Sequence, residues 1–228
     1  MNLKGVVFDL DHTLFDRYKT FRALKSFYYD NFKEYISGDV TPEIFIEELC
    51  EADKKYVVFE WPRIFEFMCH RKVFSTIPEY KIFSDTIRRG FMKEAVLYPF
   101  TVDVIRYIKS KGVKTGIVTN GSSELQNKKL DILGIKGEFD AIVISGEVGI
   151  SKPNSEPFLE AARLLGEAPE NILYVGDNPK NDVMGSRNAG FVPVWVKTHG
   201  TWIDGIDKAD YEIPTIESLP CLVDSLLV

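Results

Sequence analysis

Residues 5–13 read Gly-Val-Val-Phe-Asp-Leu-Asp-His-Thr, a short apolar run that ends in two aspartates and a threonine. A run of this length, bounded by polar residues, is typical of a strand that is buried on both faces of a sheet. Asp9 and Asp11 stand two residues apart, so in extended backbone both side chains leave the strand on the same side. The stretch therefore predicts a buried strand that presents two carboxylates at its carboxyl end.

Four later segments each contain a short run rich in β-branched residues, and each run is followed by a stretch in which apolar residues recur with helical spacing. We predict strands at 5–8, 114–118, 141–144, 172–175 and 192–196, and helices near 101–111, 122–133, 155–166, 180–189 and 216–227. Alternation of apolar strands with amphipathic helices favours a parallel sheet that is covered on both faces. The predicted fold is therefore α/β, a doubly wound, Rossmann-like parallel sheet.

Residues 16–96 interrupt this alternation after the first strand. The segment holds more than half of the aromatic residues and as many basic as acidic residues, so the net charge of −6 lies outside it. Thr41 and Pro42 form an N-cap and first-turn pair that is typical of a helix start. Apolar residues recur with helical spacing at Phe21, Leu24, Phe27, Tyr28 and Phe32, then at Ile44, Phe45 and Leu49. We predict an α/β core domain over 1–15 and 97–228 and an inserted α-helical domain over 16–96.

Composition and charge exclude several classes of protein. Apolar residues make up 45% and charged residues 27% of the 228-residue chain, values typical of a folded globular protein rather than a disordered one. Proteins that bind nucleic acid polymers normally carry a basic face, which the net charge of −6 does not favour. No apolar run approaches the ~20 residues of a membrane-spanning helix. The three cysteines form no metal-binding or disulfide pattern. We expect a cytoplasmic protein that binds neither nucleic acid nor a membrane.

Polar residues follow the predicted strands at the sheet edge where ligands bind. After the second strand come Thr119, Asn120 and Gly121, after the third Lys152, and after the fourth Asp177 and Asp182. Asp177 and Asp182 together with Asp9 would bring several carboxylates to one point, where they repel one another unless a cation neutralises them. Oxygen ligands of this kind suit Mg²⁺. Taken alone, each motif is equally typical of a turn or a helix cap.

Two carboxylates in different surroundings can divide the work of phosphoryl transfer. One attacks the phosphorus, and the other protonates the leaving oxygen and later takes a proton from water. Thr119, Asn120 and Gly121 offer a hydroxyl, an amide and an unhindered N–H before a helix, which suit an anion. Lys152 offers a fixed positive charge, although a solvated lysine is the ordinary alternative. The residue types therefore favour chemistry on a phosphate group.

The ordered set of motifs resembles the four signature motifs of the haloacid dehalogenase superfamily, in its phosphatase-type branch. The motifs stand as Asp9-Leu-Asp11-His-Thr13, Thr119-Asn-Gly, Lys152-Pro and Gly-Asp177 followed by Asp182. The match extends over residues 1–196, and the insertion is similar in size and place to the helical cap of that superfamily. The resemblance implies a hydrolase with a Rossmann-like core and an α-helical cap, which acts on a small phosphorylated metabolite with Mg²⁺ as cofactor.

The resemblance also implies a role for each matching residue. Asp9 would be the nucleophile that forms an aspartyl-phosphate, and also a Mg²⁺ ligand. Asp11 would be the general acid and base, with its backbone carbonyl as a second ligand. Asp177 would bind Mg²⁺ directly, whereas Asp182 would bind it through water or support the other ligands. The phosphate site would be formed by Thr119, Asn120, Gly121 and Thr13, with Thr13 also orienting Asp11 and with Lys152 stabilising the developing charge.

Differences between the branches of the superfamily favour hydrolysis of a phosphate monoester. Haloacid dehalogenases lack the second aspartate, here Asp11, and sugar phosphomutases usually continue the first motif with Gly-Val where this chain has His12-Thr13. A phosphomutase or another phosphotransferase, and a binding module without turnover, stay open as alternatives. The substrate could be a nucleoside monophosphate or a sugar or polyol phosphate. The sequence does not decide between a monomer and a homodimer.

Overall fold

The computed structural model describes residues 2–56, 61–199 and 201–227. The chain divides into two compact units. The core unit joins Met1–Asp16 to Leu97–Val228, and the helical unit is Arg17–Val96. The chain therefore leaves the core unit after the first strand and returns to it before the second.

The core unit contains a six-stranded sheet within the described residues. Its strands are β1 (Gly5–Phe8), β2 (Lys114–Thr119), β3 (Ala141–Ile144), β4 (Ile172–Gly176), β5 (Val192–Val196) and β6 (Tyr211–Ile213). Every neighbouring pair is parallel, and the strand order is β3-β2-β1-β4-β5-β6. The predicted doubly wound α/β fold is confirmed. The order reverses at β1, so the carboxyl ends of β1 and its neighbours lie at the switch point where such sheets bind ligands.

Helices surround the strands in the core unit and make up most of the helical unit. In the helical unit the described residues form α1 (Arg17–Ala23), α2 (Lys25–Phe32), α3 (Pro42–Lys55), α4 (Trp61–His70) and α5 (Tyr80–Phe91). In the core unit they form α6 (Thr101–Ser110), α7 (Ser123–Leu133), α8 (Ser145–Val148), α9 (Glu156–Leu165), α10 (Gly185–Asn188) and α11 (Leu219–Leu226), with a π-helical segment at Pro179–Met184. None of these helices is long and apolar enough to cross a membrane.

Apolar packing fixes the two central strands that carry most of the site. All residues of β1 and β4 are buried. On one face of the sheet, the ring of Phe158 from α9 meets those of Tyr174 and Phe191 at centroid distances of 4.8 and 5.9 Å. Val7 of β1 belongs to the same buried cluster. Burying a large apolar side chain contributes about 1.5–3 kcal/mol, so this packing holds the neighbouring strands in one register.

Aromatic side chains fill the interior of the helical unit. Phe32 stacks on Phe45 with a centroid distance of 5.5 Å and meets Phe83 at 5.8 Å. At the start of α3, the Thr41 hydroxyl accepts a hydrogen bond from a first-turn N–H and Pro42 opens the helix, which confirms the predicted helix start. The aromatic residues that distinguish this segment in the sequence therefore pack against one another.

The core unit differs from the prediction at β6, at α8, which the sequence does not predict, and in the segment after β4. The sequence does not predict β6, because its residues Tyr-Glu-Ile are too few and too mixed in polarity to show a pattern. The helix predicted at 180–189 is divided between the π-helical segment and α10. This turn starts at Asn178, whose Oδ1 accepts hydrogen bonds from two following N–H groups while its own N–H donates to Asp182 Oδ2 at 2.9 Å. The chain therefore turns sharply after Asp177 and brings Asp182 back towards β4.

Candidate active site

Three aspartates meet at the carboxyl ends of β1 and β4. Asp9 follows β1, Asp177 follows β4, and Asp182 lies in the π-helical segment. The register of the two strands brings the first two together, because Asp9 N donates to Val175 O at 2.9 Å. A carboxylate oxygen of each aspartate lies within 4.8 Å of the other two, and all three residues are buried. The structure thus brings together three of the four predicted metal-binding aspartates.

Lys152 lies between two of these carboxylates. Its Nζ donates to Asp9 Oδ1 at 2.6 Å and to Asp182 Oδ1 at 2.7 Å, and only 2% of the side chain is exposed. A third hydrogen bond of 2.8 Å reaches Tyr174 Oη, which itself donates to Val118 O at 3.0 Å. Burial lowers the pKa of Lys152, but Asp182 and Asp9 raise it by more, so the pKa stands above its ordinary value. The two carboxylates therefore favour the protonated, cationic form of Lys152.

The aspartates carry more charge than Lys152 neutralises. Burial raises the pKa of Asp9 and the Lys152 charge lowers it, but Asp182 and Asp11 raise it again, to about 7. Burial, and then the charges of Asp182 and Asp9, raise the pKa of Asp177 well above its ordinary value. When all three carboxylates are ionised, they and the one ammonium carry a net charge of −2, which a divalent cation would balance. Because every donor in the cluster is a carboxylate oxygen, the residues present fit the expected Mg²⁺.

Asp11 lies two residues from Asp9 but is held by a different element. Lys129 Nζ donates to its two carboxylate oxygens at 2.8 and 3.0 Å, and Gln126 Nε2 donates to its Oδ2 at 3.1 Å. Both partners belong to α7 and are buried. Neither is among the residues that the motifs predict. A signal exists in the sequence, since Gln126 and Lys129 share one helical face with Leu130 and Leu133, where polar side chains are unusual.

The hydroxyls of the two predicted threonines are in different situations. Thr119 Oγ1 accepts a hydrogen bond from Gln126 Nε2 at 2.6 Å, so its own hydrogen remains for an acceptor such as a phosphate oxygen. Thr13 Oγ1 is buried and has no hydrogen-bond partner within the described residues. The carboxylate of Asp11, which Thr13 is expected to orient, is held by α7 instead. The orienting role of Thr13 stays a prediction.

The side chain of Asn120 and the N–H of Gly121 bond to protein groups. Asn120 Nδ2 donates to Lys152 O at 3.0 Å, and Asn120 Oδ1 accepts from Lys152 N at 2.9 Å. Gly121 N donates to Ser145 Oγ at 3.0 Å, with a φ of 147° that favours glycine. Asn120 therefore fixes the backbone from which Lys152 extends, a role the motif did not suggest. Phosphate contacts from Asn120 and Gly121 stay predictions.

Comparisons with known proteins show the family to which this chain is similar. A family model for haloacid dehalogenase-like hydrolases matches residues 3–190. The glyceraldehyde 3-phosphate phosphatase of Methanopyrus kandleri is 32% identical over 222 residues, which cover 94% of this chain and 92% of that protein. The phosphoglycolate phosphatase of Aquifex aeolicus is 31% identical over 207 residues, which cover 82% of each.

The fold is shared with solved structures as well. The crystal structure of a HAD phosphatase from Thermococcus onnurineus matches with a TM-score of 0.65 and 24% identity, over 97% of this chain and 98% of that chain. The family model and the phosphatase of Methanopyrus kandleri each match most of the chain. The resemblance predicted from the four motifs is confirmed, and the chain belongs to the haloacid dehalogenase-like hydrolase family.

Proposed function

We propose that this hydrolase is a Mg²⁺-dependent phosphatase that cleaves a small phosphate monoester through an aspartyl-phosphate on Asp9. The observation that carries the proposal is the different setting of two neighbouring carboxylates. Asp9 bonds to Lys152 inside the charged cluster, whereas Asp11 bonds to Lys129 from α7. Different surroundings allow one carboxylate to act as nucleophile and the other as acid and base. The phosphatase names of the relatives support the same reaction.

The two aspartates account for both halves of the proposed reaction. In the first half, an oxygen of Asp9 attacks phosphorus, the bond from phosphorus to the leaving oxygen breaks, and protonated Asp11 gives its proton to that oxygen. In the second half, Asp11 takes a proton from water while the water oxygen attacks the same phosphorus. The bond between Asp9 and phosphorus then breaks and inorganic phosphate leaves. Asp9 ends the cycle as a carboxylate and Asp11 as a protonated acid.

The remaining residues of the site bind the phosphate and the cation. Lys152 keeps a positive charge 2.6 Å from Asp9 Oδ1, and Thr119 keeps a hydroxyl hydrogen for a phosphate oxygen. The Mg²⁺ would be held by Asp9, Asp177 and the backbone carbonyl of Asp11, with Asp182 binding it through water. When bound, the ion offsets the repulsion between an anionic nucleophile and an anionic substrate.

For the substrate, we favour a short phosphorylated sugar or acid over a nucleoside monophosphate. A glyceraldehyde 3-phosphate phosphatase and a phosphoglycolate phosphatase are among the relatives that match most of the chain. The helical unit, which interrupts the core unit between β1 and β2, is the proposed cap domain. A panel of phosphorylated metabolites that includes nucleotides tests this preference. Isomerisation of a sugar phosphate that depends on a bisphosphate primer would indicate a phosphomutase instead.

Release of inorganic phosphate from phenyl phosphate tests the reaction itself. We expect turnover with Mg²⁺ and none above background with EDTA. Asp9→Asn should lower kcat on the order of 10⁴-fold, because it removes the nucleophile. The variant should unfold in urea at the same or a higher midpoint, since one carboxylate leaves a crowded cluster. Asp103→Asn, at an exposed position of α6, is the matched control and should keep full activity. A folded parent protein that binds Mg²⁺ and releases no phosphate would contradict the proposal.

A further inference from the structure

An ammonium and an amide from one helix hold both oxygens of the Asp11 carboxylate. Lys129 Nζ lies 2.8 Å from Oδ1 and 3.0 Å from Oδ2, and Gln126 Nε2 lies 3.1 Å from Oδ2. Residues three apart on a helix lie on the same face, so α7 presents both donors to Asp11 at once. With each oxygen bonded, the carboxyl group cannot turn about its Cβ–Cγ bond without losing a hydrogen bond.

The burial of Lys129 needs an explanation other than stability. Its side chain is 5% exposed, and that of Asp11 is 20% exposed. A buried ion pair is seldom worth more than an apolar pair of the same size, because both charges lose their water. The ammonium also lies 5.3 Å from the ring centroid of Phe15, which fixes it from a second direction. We therefore attribute the buried lysine at this position to its contact with Asp11.

Gln126 connects the predicted acid to the predicted phosphate site. Its Nε2 carries two hydrogens, and they reach Thr119 Oγ1 at 2.6 Å and Asp11 Oδ2 at 3.1 Å. The backbone leaves room for this side chain at Gly121, where an added Cβ would lie 2.9 Å from Gln126 Cγ. The absence of a side chain at Gly121 therefore allows both the turn after Asn120 and the position of the Gln126 side chain.

We propose that Lys129 and Gln126 are positioning residues that hold the Asp11 carboxyl in the orientation required for proton transfer to the leaving oxygen. This inference rests on the proposed function, in which Asp11 is the acid of the first step. A proton donor must lie within hydrogen-bond reach of the atom that receives the proton. The contacts of Lys129 and Gln126 hold the Asp11 carboxyl group before the substrate binds. The group therefore does not have to rotate into its reactive orientation in each turnover.

The leaving group separates this role from a merely structural one. Phenolate is a poor leaving group that needs a proton, whereas 2,4-dinitrophenolate leaves without one. The value of kcat/KM reports the steps up to transfer of the phosphoryl group to Asp9, because that transfer releases the phenol. A variant that displaces Asp11 should therefore lose kcat/KM on phenyl phosphate and keep most of it on 2,4-dinitrophenyl phosphate. A variant that distorts the whole site should lose both to the same extent.

The experiment measures kcat/KM on both esters, with Mg²⁺, for the parent and for Lys129→Met, Gln126→Met and Lys128→Met. Lys128 is the exposed neighbour of Lys129 on α7 and serves as the matched control. For Lys129→Met we expect a fall of about 100-fold on phenyl phosphate and of less than about tenfold on 2,4-dinitrophenyl phosphate. Gln126→Met should change the ratio of the two values in the same direction, even if its contact with Thr119 lowers both. Lys128→Met should leave the ratio at the parent value.

The results distinguish failure of this inference from failure of the proposed function. A ratio of the two kcat/KM values that stays within about threefold of the parent in both Lys129→Met and Gln126→Met overturns the positioning role. If Lys129→Met does not fold, Gln126→Met decides alone, because it removes a contact to Asp11 without leaving a charge unpaired. A parent protein that cleaves neither ester overturns the proposed function and this inference together. A parent that cleaves both, with an unchanged ratio in the variants, overturns this inference only.

Discussion

Replacing Lys152 with Met tests whether the Lys152 ammonium offsets the electrostatic repulsion between the three buried aspartates. The Lys152 ammonium lies 2.6 Å from Asp9 Oδ1 and 2.7 Å from Asp182 Oδ1, with 2% of its side chain exposed. Met has a similar length and no charge, so Lys152→Met leaves the buried volume nearly unchanged. In the absence of a divalent cation, the variant has three buried carboxylates with no buried ammonium among them.

The expected cost follows from the chemistry of a broken buried pair. Removing one partner of such a pair typically costs about 3–5 kcal/mol of unfolding free energy. Carboxylates can escape part of this cost by taking up protons, and burial already places the pKa of Asp9 at about 7. A carboxyl group whose pKa is higher in the folded state than in the unfolded state makes the protein less stable as the pH rises from the unfolded pKa through the folded pKa. The full cost should therefore appear near pH 8.5 and about half of it or less near pH 6.

Urea unfolding of parent and variant in EDTA, at about pH 6 and about pH 8.5, measures this difference. Lys128→Met, at an exposed position, is the matched control and should stay within about 0.5 kcal/mol of the parent at both pH values. Added Mg²⁺ should raise the midpoint of Lys152→Met, because a cation bound to the folded state alone stabilises it. Equal midpoints for parent and Lys152→Met in EDTA near pH 8.5 would refute the reasoning.

Glycines at two close approaches give further predictions. Gly176→Ala would place a Cβ about 2.6 Å from Asp182 Cβ, so we expect a loss of about 1–3 kcal/mol in urea unfolding and a lower rate of phosphate release as Asp182 moves. In the helical unit, a Cβ at Gly90 would lie 2.6 Å from Tyr28 Cε1, and Gly90→Ala should also cost about 1–3 kcal/mol. Gly38→Ala is the control for both, since nothing lies within 4 Å of its added Cβ. Equal unfolding midpoints for Gly90→Ala and Gly38→Ala would contradict this packing.

The central strands and their acids could be predicted because the relevant signals are local. The run before Asp9 is apolar throughout, and its burial on both faces follows directly from that composition. The spacing of Asp9 and Asp11, and the position of Asp177 after another apolar run, then place carboxylates at one sheet edge. The strand β6 could not be predicted in this way, since it gains its strand conformation from pairing with β5.

The partners of Asp11 and Lys152 could not be predicted because they depend on contacts between distant segments. Gln126 and Lys129 share a helical face with Leu130 and Leu133, but only the folded structure shows that both side chains bond to Asp11. Asn120 reads as part of an anion-binding turn, but its amide is bonded to the backbone of Lys152. Polar residues in a buried helical stripe are the signal that would have identified the first two.

The order of strands in the sheet has a consequence for synthesis of the chain on the ribosome. Strand β1 emerges first, yet its two neighbours are β2 and β4, which are made after the whole helical unit. The pairing of β1 with Ile172–Gly176 can therefore form only after those residues have been made. A chain that stopped before residue 172 would carry Asp9, Asp11 and Lys152 but neither Asp177 nor the strand that seats it. Contacts this far apart in sequence form slowly, so the cluster of Asp9, Asp177 and Asp182 is completed only after residue 182 has been translated.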